Sequence, residues 1–191
     1  MDRNNRQVRS AHSTFTTRED GKDLHIEGYF AVFNSDYEIF DGLSESVDEG
    51  AFRNTLGGDI RALTDHDTRL VLGRTTAGTL TLRTDSHGLY GDITINPNDG
   101  DAMNLYARVQ RGDVDQCSFG FNILDEDSEV RADGSVHWTI KEVELFEVSV
   151  CTFPAYEETN VVARKEDLAE IKKRERDAWK LRMIERLKKG N

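Results

Sequence analysis

The chain has 191 residues, enough for one domain with a sizeable core and an appendage. With 37% hydrophobic and 32% charged residues it has the balance of a solvated body, and no apolar run approaches the roughly 18 residues of a membrane helix. The net charge of −11 weighs against nucleic acid as a partner, because a strongly acidic body repels phosphate.

The charge is unevenly spread. Residues 164–189 carry 11 Lys/Arg and 6 Asp/Glu, whereas residues 1–163 carry 14 and 30. An acidic body with a basic tail points to two regions with different jobs, residues 12–163 and 164–191. Cys117 and Cys151 form neither a disulfide framework nor a recognisable metal-ligand spacing. Each lies in an apolar run, where a free cysteine is a small hydrophobe. The expected compartment is therefore reducing and cytoplasmic, and the N-terminus shows no apolar stretch of the signal-peptide kind. No metal and no cofactor are called for.

In chain order, polar residues 1–11 are expected to be disordered. His12–Arg18 and Asp23–Phe33 read as a strand–turn–strand hairpin, with a bulge at Gly28. Asn34–Val47 reads as a loop and Asp48–Leu56 as one or two helical turns. Ile60–His66, Leu70–Thr75, Gly78–Arg83 and Gly88–Ile95 read as strands, the last two with antiparallel alternation. The period then changes. Ala102, Leu105, Tyr106 and Val109 fall at helical spacing, with Asp99 or Asp101 as cap and Gly112 just past the end. Val114–Leu124 reads as a strand, Asp125–Gly134 as an acidic hairpin loop, and Val136–Phe153 as one long strand. Glu166–Lys189, free of Gly and Pro, predicts a charged helix projecting from the body. Many short strands and few helices make the chain mainly β, an α+β barrel or sandwich.

Three residues are candidates for chemistry. Ser118 lies in the apolar run Gln116-Cys117-Ser118-Phe119-Gly120-Phe121. A strand serine is most often a satisfied hydroxyl, and the run lacks the Gly-x-Ser-x-Gly pattern of α/β-hydrolases. His66, between Asp65 and Asp67 at a strand end, is either a solvated histidine or a base poised near neutrality. Glu147 interrupts the apolar run Leu145–Val150. It either faces solvent or, buried, accepts a hydrogen bond that orients a histidine. His137 is the rival histidine.

The ordered series Gly28-Tyr29-Phe30-Ala31-Val32-Phe33, Gly50-Ala51-Phe52, Leu63-Thr64-Asp65-His66-Asp67, Leu72-Gly73-Arg74-Thr75, Leu80-Thr81-Leu82 and Asp85-Ser86-His87-Gly88-Leu89 resembles the HK97-like prohead maturation proteases of tailed bacteriophages. The resemblance continues through Arg111-Gly112-Asp113-Val114, Ser118-Phe119-Gly120-Phe121, Leu145-Phe146-Glu147-Val148-Ser149-Val150 and Phe153-Pro154-Ala155-Tyr156, covering roughly residues 24–163. It implies a serine endopeptidase with a β-barrel related to the herpesvirus assembly proteases, surrounded by a few helices. It implies Ser118 as nucleophile, His66 as base and Glu147 as third member, where herpesvirus relatives carry histidine. It also implies, as partners, the major capsid protein with its scaffolding region and the enzyme itself, through autoproteolysis and homo-oligomers, inside the procapsid in the host cytoplasm. Gly73-Arg74 or the loop after Phe153 would supply oxyanion donors. The basic tail, residues 164–191, lies outside the resemblance; it is a solvated helix, a dock for the acidic scaffold or capsid interior, or a segment removed by self-cleavage. Two other readings stay open: a non-enzymatic assembly protein on the same fold, and a cysteine enzyme using Cys117.

Overall fold

A computed structural model describes the backbone of residues 7–12, 15–153 and 158–189. The strands are β1 Gln7–His12, β2 Thr16–Asp20, β3 Asp23–Val32, β4 Tyr37–Phe40, β5 Leu43–Val47, β6 Arg61–Thr64 and β7 Asp67–Arg74. They continue with β8 Leu80–Thr84, β9 Gly88–Ile95, β10 Gln116–Val130 and β11 Val136–Cys151. Two α-helices, α1 Gly100–Arg111 and α2 Glu158–Lys189, complete the list with a 3-10 turn at Thr75–Ala77.

Hydrogen bonding divides the strands into two sheets. One has the order β2-β3-β9-β8 and is antiparallel throughout. The other runs β1-β10-β11-β5-β4, with β6 also on β11 and β7 on β6. The mainly β class is as expected, but among the described residues the strands do not close into one hydrogen-bonded barrel. Barrel-like curvature comes instead from the long β10–β11 hairpin, whose register shifts near Phe121, Asp125 and Glu126 bend it. The bend carries β5 round until Glu45 meets Arg9 of β1.

Apolar side chains of both sheets meet in one core with Phe30, Phe52, Phe119, Phe121, Ile26, Ile93 and Val148. The ring of Phe52 packs edge-on to Phe119, which stacks on Phe121 at 4.8 Å. Within the first sheet, the Phe30 ring of β3 lies over Gly91 of β9, where an added Cβ would come within 2.5 Å of it. Helix α1 closes the core with Ala102, Leu105, Tyr106 and Val109, the spacing seen in sequence. Asp99 accepts from the Asp101 and Ala102 amides, and left-handed Gly112 ends the helix.

Several boundaries differ from expectation. Residues 7–11, expected to be disordered, belong to edge strand β1, because β10 offers it an antiparallel partner that no local pattern reveals. Residues 1–6 lie outside the described residues. Asn34–Val47 is not a loop but contains the hairpin β4–β5, docked on β11. Asp48–Leu56 forms successive turns with Ala51→Asp48, Arg53→Gly50 and Thr55→Phe52 backbone bonds rather than α-helix. The β3 irregularity falls between Tyr29 and Ala31, not at Gly28. The acidic stretch from Asp125 stays in strand to Val130, paired with β11. Helix α2 starts at Glu158, eight residues before the predicted start, and does not simply project. Leu168 and Ile171 pack on Leu43, Val136 and Trp138.

Candidate active site

The site is built on the outer side of β10–β11. Along β11, Val148 and Val150 enter the core, so Glu147, Ser149 and Cys151 share the opposite face. Along β10, Cys117 and Phe119 enter the core and Ser118 takes that same outer face. Register places Ser118 directly opposite Ser149, and cross-strand Cβ atoms so paired lie about 4.5–5.5 Å apart. The outer face is nonetheless closed. Ser118 and Ser149 are fully buried and Glu147 is 2% exposed.

His66 reaches this face from the end of β6. That strand runs parallel to β11, pairing Thr64 with Val150. The chain then turns through two left-handed residues, Asp65 at φ 48° and His66 at φ 60°. Successive left-handed non-glycine residues are strained by roughly 1–3 kcal/mol each, so neighbours must hold them. Four hydrogen bonds to β11 and its exit do so. The Asp65 amide donates to the Val150 carbonyl at 3.1 Å. The Thr152 amide and hydroxyl donate to the Asp65 carboxylate at 2.7 and 3.1 Å. The His66 amide donates to Ser149 Oγ at 3.2 Å.

So held, the imidazole lies against Glu147, with Nδ1 2.6 Å from Oε1. The Ser149 hydroxyl donates to the other carboxylate oxygen at 2.6 Å, bridging the His66 backbone to Glu147. A buried carboxylate so bonded favours the tautomer with the proton on Nδ1 and leaves Nε2 to accept one. Nε2 lies 3.9 Å from Cys151 Sγ. Burial, first of all, pushes the Cys151 thiol well above its ordinary range, so a thiolate is disfavoured there.

Among the residues singled out from sequence, His66 and Glu147 are in contact and Ser118 shares their face. The Ser118 hydroxyl donates to the Arg9 carbonyl of β1, at 2.8 Å. His137 is elsewhere: its Nδ1 meets Ser44 Oγ at 2.7 Å and its Nε2 meets Ser46 Oγ at 2.9 Å. Cys117 faces the core, its Sγ 3.5 Å from the Phe30 carbonyl, away from the outer face. Gly73 and Arg74 sit on β7, separated from β10 by β6 and β11, and the Arg74 guanidinium is committed to Asp59 at 2.6 Å. They are therefore misplaced as oxyanion donors to Ser118. Phe153 is 77% exposed, and residues 154–157 lie outside the described residues.

Sequence reasoning missed Ser149, Asp65 and Arg9. The spacing of Glu147 and Ser149 by two could have shown a shared face. The clamping by Asp65 and the approach of Arg9 depend on strand register. The flanking carboxylates do not serve the ring: Asp65 holds Thr152, and Arg69 holds the Asp67 carboxyl down to about 2.

Residues 13–174 match the family described as caudovirus prohead serine protease. A curated relative, the prohead protease of Enterobacteria phage HK97, is 33% identical over 150 residues, covering 76% of this chain. The chain spans 62% of that relative's length. Among solved structures, the bacteriophage T4 capsid assembly protease aligns with a TM-score of 0.51 at 9% identity, covering 76% of this chain and 96% of that one. At that identity the likeness shows the shared fold.

Proposed function

The chain belongs to the caudovirus prohead serine protease family, and from that premise we propose that it is a serine endopeptidase that cuts the scaffolding region from a major capsid protein during procapsid maturation. The family match makes it a member of a peptidase family; the residues, substrate and setting are our reading. One observation carries the site assignment: a histidine bonded to a buried glutamate, on the same strand-pair face as a buried serine.

In this reading Ser118 Oγ attacks the scissile carbonyl while His66 Nε2 takes its proton. Glu147 keeps the ring in the required tautomer and offsets the charge of the imidazolium. The amine leaves with the proton from His66, and water then releases the acyl group by the same steps in reverse. In the resting arrangement the Ser118 hydroxyl is held by the Arg9 carbonyl, so it must turn toward the ring before transfer. The proposed partners are the capsid protein with its scaffolding region and other copies of the enzyme, inside the procapsid in the host cell.

The test is co-expression with the cognate capsid protein. Ser118→Ala should abolish its processing, a loss of at least about 10³-fold in rate. Unchanged processing would remove Ser118 as nucleophile and favour a non-enzymatic assembly role.

A further inference from the structure

Strand β1 is placed against β10 as a substrate would be. An extended peptide bound on a sheet edge draws main-chain hydrogen bonds from the edge and alternate side-chain pockets from either face. Gln7–His12 does this beside Ser118: it pairs antiparallel with β10, with Ser10 opposite Ser118 and Arg9 opposite Phe119. The peptide carbonyl that meets the Ser118 hydroxyl is that of Arg9.

The Arg9 side chain leaves the other face of β1 and enters a prepared place. Glu45 receives Nε and, at 3.0 Å, Nη2, a two-point contact of guanidinium with carboxylate. Both ends are shielded, with side-chain exposures of 11% for Arg9 and 3% for Glu45. Gln7 Oε1 accepts from Nη2 at 3.0 Å, and the guanidinium carbon lies 5.6 Å from the centre of the Phe121 ring. Beside this ion pair lies a cavity of about 290 Å³, with Arg9 and Glu45 on its lining and Ala31, Val32, Tyr37, Val47 and Phe119 in its walls. A buried carboxylate is costly without a cation, so Glu45 is placed to hold a basic side chain at this position of β1.

We propose that β1 occupies the enzyme's substrate groove as a built-in first substrate, and that Glu45 selects a basic residue, Arg or Lys, immediately before the scissile bond. This rests on the serine peptidase reading above. The bond cut in the chain's own N-terminus is Arg9–Ser10. Ser118 Oγ bonds to the Arg9 carbonyl carbon, the C–N bond to Ser10 breaks, and the proton from Oγ passes through His66 to the new Ser10 amine. Water then hydrolyses the ester, leaving the Arg9 carboxylate and restoring the serine. Until residues 1–9 leave, the groove is closed to other peptides.

Two measurements on the full chain test this. The first follows intact mass with time, alongside labelling of Ser118 by a fluorophosphonate. The wild type should lose residues 1–9 and expose Ser10 as a new N-terminus. Arg9→Lys should do the same, Arg9→Leu should do so about 100-fold more slowly, and Ser118→Ala not at all. The second measures kcat/KM on the peptide Gln-Val-Arg-Ser-Ala-His and its Leu-for-Arg version. The wild type should favour Arg by about 100-fold, and Glu45→Gln should reduce that preference at least about tenfold. If Ser118 is labelled and capsid protein is cut while Arg9–Ser10 stays intact and Arg and Leu peptides are cut alike, the inference fails and the enzyme reading stands. If Ser118 is neither labelled nor needed for any cleavage, both fail.

Discussion

Two histidines make contact with β11 residues or belong to that strand, and their surroundings differ in one respect that decides what each can do. His66 meets a buried carboxylate through Nδ1, and its Nε2 lies 3.9 Å from the weakly polar Cys151 thiol. His137 has a hydroxyl on each nitrogen, at 2.7 and 2.9 Å, and its nearest carboxylate, Asp36, is 3.8 Å from Nε2. Arg131 already engages that carboxylate at 2.6 Å. A histidine satisfied at both nitrogens holds structure together. One whose first nitrogen is bonded to a buried anion keeps its second available for a proton.

The most severe way to break this contrast is Glu147→Gln, which preserves shape and removes charge. It should lower kcat on capsid protein by about 10²–10⁴-fold with little change in KM, whereas His137→Ala should leave kcat within about threefold. Equal losses in the two variants would erase the distinction. His137→Ala should instead show in stability, lowering it by about 1–3 kcal/mol in denaturant titration by leaving the Ser44 and Ser46 hydroxyls unpaired. Ser149→Ala sharpens the comparison from the other side. It takes one hydrogen bond from Glu147 and one acceptor from the His66 amide, and should cost roughly tenfold in kcat while preserving the fold in circular dichroism.

The smallest effect concerns acid. Asp36 is held below the ordinary carboxylate range first by its bond from Arg131, and Asp48 by its bond from Lys141. Depressed folded-state values mean that stability from these pairs is complete above the ordinary carboxylate range and lost as pH falls through the folded values. Melting temperature should therefore hold steady from neutrality to about pH 5 and fall below about pH 4. Asp36→Asn should flatten part of that fall without altering cleavage at pH 7.

Part of the fold and of the site was legible in the sequence, for reasons that can be located. The helix over Gly100–Arg111 announces itself because its apolar spacing, Asp99 cap and Gly112 stop all act locally. Glu147 stood out because a carboxylate inside Leu145–Val150 breaks an otherwise apolar run, and the fold buries it against His66. His137 could not be separated from His66 by neighbours alone. Its fate was set by Ser44 and Ser46 on β5, which pairs with β11 across about ninety residues of chain. The same limit hid β1. Nothing in Gln-Val-Arg-Ser-Ala-His signals a strand, because its partner edge lies more than a hundred residues away. The β4–β5 hairpin went unseen because its polar residues Ser44, Glu45 and Ser46 find their partners, His137 and Arg9, on strands distant in sequence.

The length of the β10–β11 hairpin also has a kinetic consequence. Its two strands are joined by a five-residue turn, Arg131–Ser135, so pairing can zip from a closure that costs little chain entropy. Strands β5, β6 and β1 must then find it across separations of roughly eighty to more than a hundred residues, which is slow. The Ser118–Ser149 pairing thus belongs to the portion of the chain that can form first, and the edge strand β1 to a portion that arrives by long-range search. An edge strand held on one side by hydrogen bonds is also among the segments able to detach without unzipping the hairpin beneath it.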